Sequence, residues 1–246
     1  MSEVLLHELS RELRRLLEEE RDFEAGFALG RHILRHYPRH LRTYRQMGLA
    51  CVQAGLYADA VDVLHRALSA DPEDADMWSA LGRAAELLGM NKEAERARRC
   101  AEDLRGRGTT AAARARAAAL AAHWEESARR FRQAMHRQPE RMDIALGLAT
   151  AYLHLREPAI CRGLAESVLA QLPYSLKANW LVVRCAAILG DEERDRQHHL
   201  AIARSLDPDD QYAWQWFAAE DRTPPAPSAR IPSWDGGERW PLRPQP

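Results

Sequence analysis

Helix breakers recur along this chain at an almost constant interval, and that spacing restricts the folds open to it. Pro38 and Pro72 lie 34 residues apart, Gly106 follows after 34, Pro139 after 33, Pro173 after 34 and Pro208 after 35. Proline lacks an amide hydrogen and clashes with the preceding helical turn, and glycine gives up the most chain entropy in a helix, so each position closes a helix. The interval holds two helices and a turn but not an independent core. Such a unit must stack on its neighbours to bury its apolar side.

The segment between Pro38 and Pro72 has the clearest internal pattern. With Leu41 as position 1, Tyr44, Met47, Gly48 and Cys51 fall at positions 4, 7, 8 and 11, one face of a helix. Ala60, Leu64 and Ala67 mark the face of a second helix, Gly55 breaks the chain between the two, and Asp71-Pro72 ends the second. One period later, Trp78, Leu81, Gly82 and Ala85 repeat the first face and Ala94 begins the second. Ala145, Leu148, Ala149 and Tyr152 do so again, followed by Cys161, Ala165 and Val168. Trp180, Val183 and Ala187 start a further copy, continued by Leu200 and Ala203. Three copies are worn: the first, the fourth and the sixth, the copy with Trp180. The first has Arg14 where a small residue is expected, which suggests an N-terminal cap. The fourth uses Ala111, Ala115 and Ala118, then Ser127, Phe131 and Ala134. The glycines of Arg105–Thr110 make that joint the expected hinge.

The W-x-x-L-G run at Trp78–Gly82 and the period of the breakers resemble tetratricopeptide repeats over about Glu8–Glu220. The resemblance implies an all-α, right-handed α-solenoid of about six helical hairpins, spanning about 7–40, 41–74, 75–107, 108–141, 142–176 and 177–210. A C-terminal capping helix at 209–220 completes it, so residues 1–221 form the solenoid. Residues 222–246 are proline-dense and read as an extended, mobile tail with polyproline character. Small residues at Gly48, Gly82, Ala60 and Ala94 let paired helices approach. A large side chain at Gly82 is expected to overpack at a cost of ~1–3 kcal/mol.

Composition narrows the class further. Hydrophobic residues make up 46% and charged residues 29%, and the net charge is −1, so no global field draws the chain to nucleic acid or membrane. Lysine occurs only at Lys92 and Lys177, which reads first as the signature of a GC-rich genome. Cys51, Cys100, Cys161 and Cys185 form no C-x-x-C pair. Met1–Ser10 carries acids and no basic region, so no signal peptide is read there. No stretch approaches the ~18 apolar residues that a membrane span needs. A soluble cytoplasmic protein is the expectation.

In the family this chain resembles, positions 2, 5, 9 and 12 of each first helix line a concave groove that binds extended peptides. Carried onto this sequence, that stripe includes Arg11, Arg15, Arg42, Arg45, Leu49, Arg83 and Arg116 towards the N-terminus, and Leu146, Leu153 and Leu181 towards the C-terminus. Guanidinium forks pair with carboxylates, and apolar side chains bury anchors. The expected partner is therefore another protein, presenting a peptide or helix with acidic and hydrophobic parts. The competing reading has the arginines as solvated surface and the leucines buried by tight superhelical curvature. The carboxylate clamp of chaperone-binding relatives needs lysine and asparagine; here Arg11, Arg15 and Ser79 stand instead, which argues against that partner.

Other chemistry finds little support. His32, His36 and His40 are spaced four apart, but Pro38 interrupts them and no ligand pattern completes a metal site. No phosphate loop, G-x-S-x-G or H-E-x-x-H occurs, so neither enzyme activity nor a cofactor is expected. Arg96–Arg137 holds eleven arginines against four acids, which keeps a nucleic-acid-associated regulator as an alternative, beside a self-associating structural subunit. Trp234 and Trp240 in the tail are read as docking on a partner, in the chain's own groove, or on the last helix. Oligomeric state is not legible.

Overall fold

The computed structural model describes residues 2–191, 193–217 and 226–236. After a short strand β1 (Glu3–Leu5), α1 (Leu6–Arg14) continues into a π-helical turn at Arg15–Glu20 and pairs with α2 (Phe23–His36). Five further hairpins follow: α3 (Leu41–Gln53) with α4 (Tyr57–Ala70), α5 (Ala75–Leu87) with α6 (Asn91–Leu104), α7 (Ala111–Leu120) with α8 (Trp124–Arg137), α9 (Met142–His154) with α10 (Pro158–Leu169), and α11 (Leu176–Leu189) with α12 (Glu193–Leu206). A shorter helix, α13 (Gln211–Phe217), and strand β2 (Arg230–Pro232) close the series. The architecture is an all-α solenoid of six hairpins and a terminal helix. Residues 218–220, the end of the expected capping helix, lie outside the described residues, as does Trp240.

A backbone signature repeats with the hairpins. The turn between the paired helices holds one left-handed residue each time: Arg21, Gly55, Gly89, Ala122, Arg156 and Gly190, with φ of 56°, 77°, 73°, 57°, 63° and 79°. Glycine takes this conformation without a Cβ penalty. Three hairpins therefore use the residue the turn favours, and three hold a side chain there with the turn closed by backbone hydrogen bonds, such as His123 N to Ala118 O at 2.8 Å and Glu157 N to Tyr152 O at 2.9 Å.

Close packing explains the small residues. A Cβ at Gly48 would stand 2.8 Å from Leu64 Cδ2, whereas one at Gly82 meets nothing nearer than 3.4 Å. The second site therefore has room for a methyl, though not for a large side chain. The tightest inter-hairpin approach escaped the repeat pattern: a Cβ at Gly147 would lie 2.5 Å from the ring of Phe131, which is 1% exposed.

The solenoid closes on itself. The cluster built by the first three hairpins also contains Leu176, Ala203, Leu206 and Ile231 from the other end of the chain. Strand β2 pairs antiparallel with β1, Val4 opposite Ile231. Tyr37 Oη donates to Arg230 O at 2.9 Å, His32 Nε2 meets Pro232 O at 2.7 Å, and Asp209 Oδ1 accepts from the amides of Ser228 and Ala229 at 2.8 and 2.9 Å. The tail at 226–236 is extended, as its prolines predict, but it is docked rather than mobile. Burial of Ile231 and the strand pairing supply the reason. Trp234 packs on this N-terminal cluster, and not in the apolar half of the groove. The expected hinge is also tied: Thr110 Oγ1 donates to Asp103 Oδ1 at 2.5 Å, and Arg105 reaches Ser79 Oγ at 2.9 Å and Asp76 Oδ1 at 2.9 Å.

Candidate protein-binding cleft inside the solenoid

The first helices of the hairpins face the hollow, and their charged side chains meet there. Glu73, in the loop before α5, accepts from Lys177 of α11 at 2.6 Å and forms an ion pair with Arg116 of α7 at 2.5 Å. All three side chains are at most 15% exposed. Burial alone would raise the Glu73 carboxyl, but the two cations outweigh it and hold it at about 2. Arg45 binds Asp74 at 2.6 Å and Asp76 at 3.3 Å. Arg141 bridges Asp103 at 2.5 Å and Asp143 at 2.7 Å.

This network redistributes the expected groove residues. Arg45 and Arg116 are committed to internal carboxylates. Arg15 is exposed and held by Glu12 and Glu20 on its own turn. Leu146 and Leu181 are fully buried, so the expectation that they floor an open groove is corrected. Curvature presses the inner faces of α9 and α11 together and turns those leucines into core. Leu153 is half-buried against the same cluster. Leu49 is half-buried, and Arg83 is exposed with no ion pair among the described residues.

What stays open is a cleft between α1, α3 and α13, with a cavity of about 410 Å³. Arg11, Arg14 and Arg42 line it, and none of them has an ion pair among the described residues. Arg11 Nη2 has only His7 Nε2 at 3.4 Å. Across from them stand Tyr212 and Trp216 of α13, their rings 5.5 Å apart. Asp71 lies at the cleft floor. Burial, with the charges of Asp74 and Glu73, pushes its carboxyl up to about 7 against one backbone hydrogen bond from Glu73. The cleft thus joins unpaired guanidinium groups to aromatic surface. Arg14 was visible as an anomaly where a small residue is usual; Tyr212 and Trp216 read only as a cap, because nothing local says which surface a terminal helix meets.

About half of the arginines in the basic middle of the chain are ion-paired among the described residues. Arg99 pairs with Glu95, Arg130 with Glu126, Arg105 with Asp76 and Arg116 with Glu73. His32 and His40 serve packing: His40 Nδ1 sits 2.9 Å from Thr43 Oγ1, and burial, then Arg42, lowers its pKa to about 4. No helix among the described residues is long and apolar enough to cross a membrane.

Stacked helical hairpins around a charged hollow define an all-α solenoid. Residues 41–84 match the model of the tetratricopeptide repeat. That stretch, from α3 into α5, therefore carries a tetratricopeptide repeat. Among solved structures it is similar to a tetratricopeptide repeat protein from Parabacteroides merdae, at 13% identity over 85% of this chain and 81% of that one, with a TM-score of 0.41. It is also similar to part of the Naa15/Naa10 assembly bound to HypK-THB, at 19% identity over 81% of this chain, with a TM-score of 0.33. There it spans 32% of the other chain. No curated protein matches the sequence.

Proposed function

We propose that this protein is a non-enzymatic adaptor that holds an acidic segment of a partner protein in the cleft between α1, α3 and α13. The observation that carries this reading is the set of three arginines, Arg11, Arg14 and Arg42, that face one cavity and make no ion pair among the described residues. Arg45 and Arg116, elsewhere on the inner surface, are paired with acids. Arginine forks recognise carboxylates bidentately, and the neighbouring rings of Tyr212 and Trp216 give a flat apolar surface for an adjoining side chain. The groove is shorter than the expected stripe, because its apolar half is core.

The test compares affinity-purified partners of the wild type with those of Arg11→Glu/Arg42→Glu, with Arg83→Glu as a surface control. Loss of a partner in the double variant alone, with binding that weakens as salt rises, supports the reading. Identical partner sets for all three proteins overturn it.

A further inference from the structure

The stretch from Asp207 to Phe217 has the chemistry that the cleft asks for. It runs Asp-Pro-Asp-Asp-Gln-Tyr-Ala-Trp-Gln-Trp-Phe, acids first and aromatics after. Tyr212 and Trp216, one turn apart, lie against the arginine-bearing faces of α1 and α3. Lys177 stands 5.7 Å from the Trp216 ring, and Arg184 stands 4.7 Å from the Phe217 ring, so cations of α11 face the other side of α13. Yet none of the described residues of α13, Gln211–Phe217, is fully buried. A helix held by half-buried rings opens at low cost compared with core helices. Glu18, Asp71 and Asp74 also line the cleft, yet Arg11, Arg14 and Arg42 make no ion pair among the described residues; Asp207 caps the amide of Tyr212 at 2.6 Å and Asp209 is engaged by the tail amides.

We infer that the cleft is a helix-binding groove in which α13 stands in for its true occupant, a partner helix carrying acids followed by aromatics one turn apart. This rests on the adaptor reading above and names the partner's chemistry. The partner displaces α13, places its rings where Tyr212 and Trp216 lie, and sets its carboxylates on the arginines that α13 leaves unpaired. An aromatic anchor buried centrally and a charged rim is the distribution of contacts that makes such grooves selective.

The experiment uses the full chain. A fluorescein-labelled peptide with the sequence of residues 207–217 is titrated with wild type and with Tyr212→Ala/Trp216→Ala, which vacates the groove. The vacated variant is expected to bind at least tenfold more tightly than wild type, and a peptide with both aromatics replaced by alanine is expected to lose that gain. Equal binding to both proteins, or none to a folded vacated variant, overturns the inference. So does a dimer of the vacated variant by light scattering, which assigns the groove to a second copy. Arg42→Glu in the vacated background separates the two claims. Tight binding indifferent to Arg42→Glu and to salt keeps the groove and removes the arginine reading. Arg42-dependent binding of equal strength in wild type and vacated variant keeps the arginines and removes the stand-in. Hydrogen exchange on wild type gives a check that needs no variant: amides of 211–217 are expected to exchange well ahead of those of α3, and equal protection overturns the inference.

Discussion

Lys177 Nζ donates to Glu73 Oε2 at 2.6 Å across 104 residues of sequence, and the pair spans the hollow of the solenoid. Neighbouring hairpins touch because they are consecutive; these two residues touch because the superhelix turns back on itself. With Arg116 they form a buried triad at the point where the second, fourth and sixth hairpins converge. Removing one member of a buried pair leaves an uncompensated charge, which costs more than the pair contributes.

Glu73→Gln is therefore expected to destabilise the protein by about 3–5 kcal/mol, read by urea unfolding at pH 7. The pH dependence has a defined sign. Glu73 is depressed to about 2 in the fold, so its contribution is complete above the unfolded value near 4.5 and is lost as pH falls from there towards 2. The difference between wild type and Glu73→Gln should shrink by about 3 kcal/mol across that window. A difference that does not change with pH would remove the strut.

Asp71 acts in the opposite direction. Its carboxyl is raised from 3.8 to about 7, by burial first and then by Asp74 and Glu73. The folded protein holds that proton where the unfolded chain has released it, so stability falls as pH rises from about 4 to about 7. The cost at pH 8 is on the order of 4 kcal/mol. Asp71→Asn keeps an oxygen for the Glu73 amide, and it is expected to raise Tm at pH 8 while leaving it unchanged at pH 4. An equal effect at both values would contradict the buried carboxyl.

Gly147 lies against Phe131 of the preceding hairpin with no room for a Cβ. Gly147→Ala places a methyl 2.5 Å from a ring that is 1% exposed and has nowhere to move. The expected loss is ~1–3 kcal/mol. Phe131→Leu should restore part of it in the double variant, so a thermodynamic cycle measures the coupling. Additive losses would show that the two sites do not meet.

The left-handed turn residues permit a stabilising change. Arg156 and Ala122 occupy the position that glycine holds at 55, 89 and 190. A non-glycine residue there costs roughly 1–2 kcal/mol, part of which glycine returns to the unfolded chain as entropy. Arg156→Gly is expected to raise stability by about 0.5–1 kcal/mol in thermal unfolding, with no change in the far-ultraviolet spectrum. The same change at Arg83, inside α5, should lower it by about 1 kcal/mol.

The repeat pattern made the hairpins legible because helix formation and helix pairing are local: breakers, small residues and apolar faces all lie within one period. Gly48, Ala60 and Leu64 announce their contact in one repeat, whereas Gly147 and Phe131 belong to different repeats and different registers. The cleft was half legible. Arg11 and Arg42 line the cleft, but Arg45 found Asp74 and Asp76 just downstream and Arg116 found Glu73 well upstream, before α5, and only packing decides which inner cation remains without an ion pair.

The amino-acid order by itself determined that this chain is a row of paired helices, since each pair is specified by residues a few turns apart. Tertiary structure alone decided how tightly the row curls. Curvature is the sum of small rotations between hairpins, and a modest change in each carries the last hairpin towards or away from the first. That sum sank Leu146 and Leu181 into the core, brought Lys177 onto Glu73, paired the strand at Arg230–Pro232 with the N-terminal strand and shaped the cleft that Arg11, Arg14 and Arg42 line.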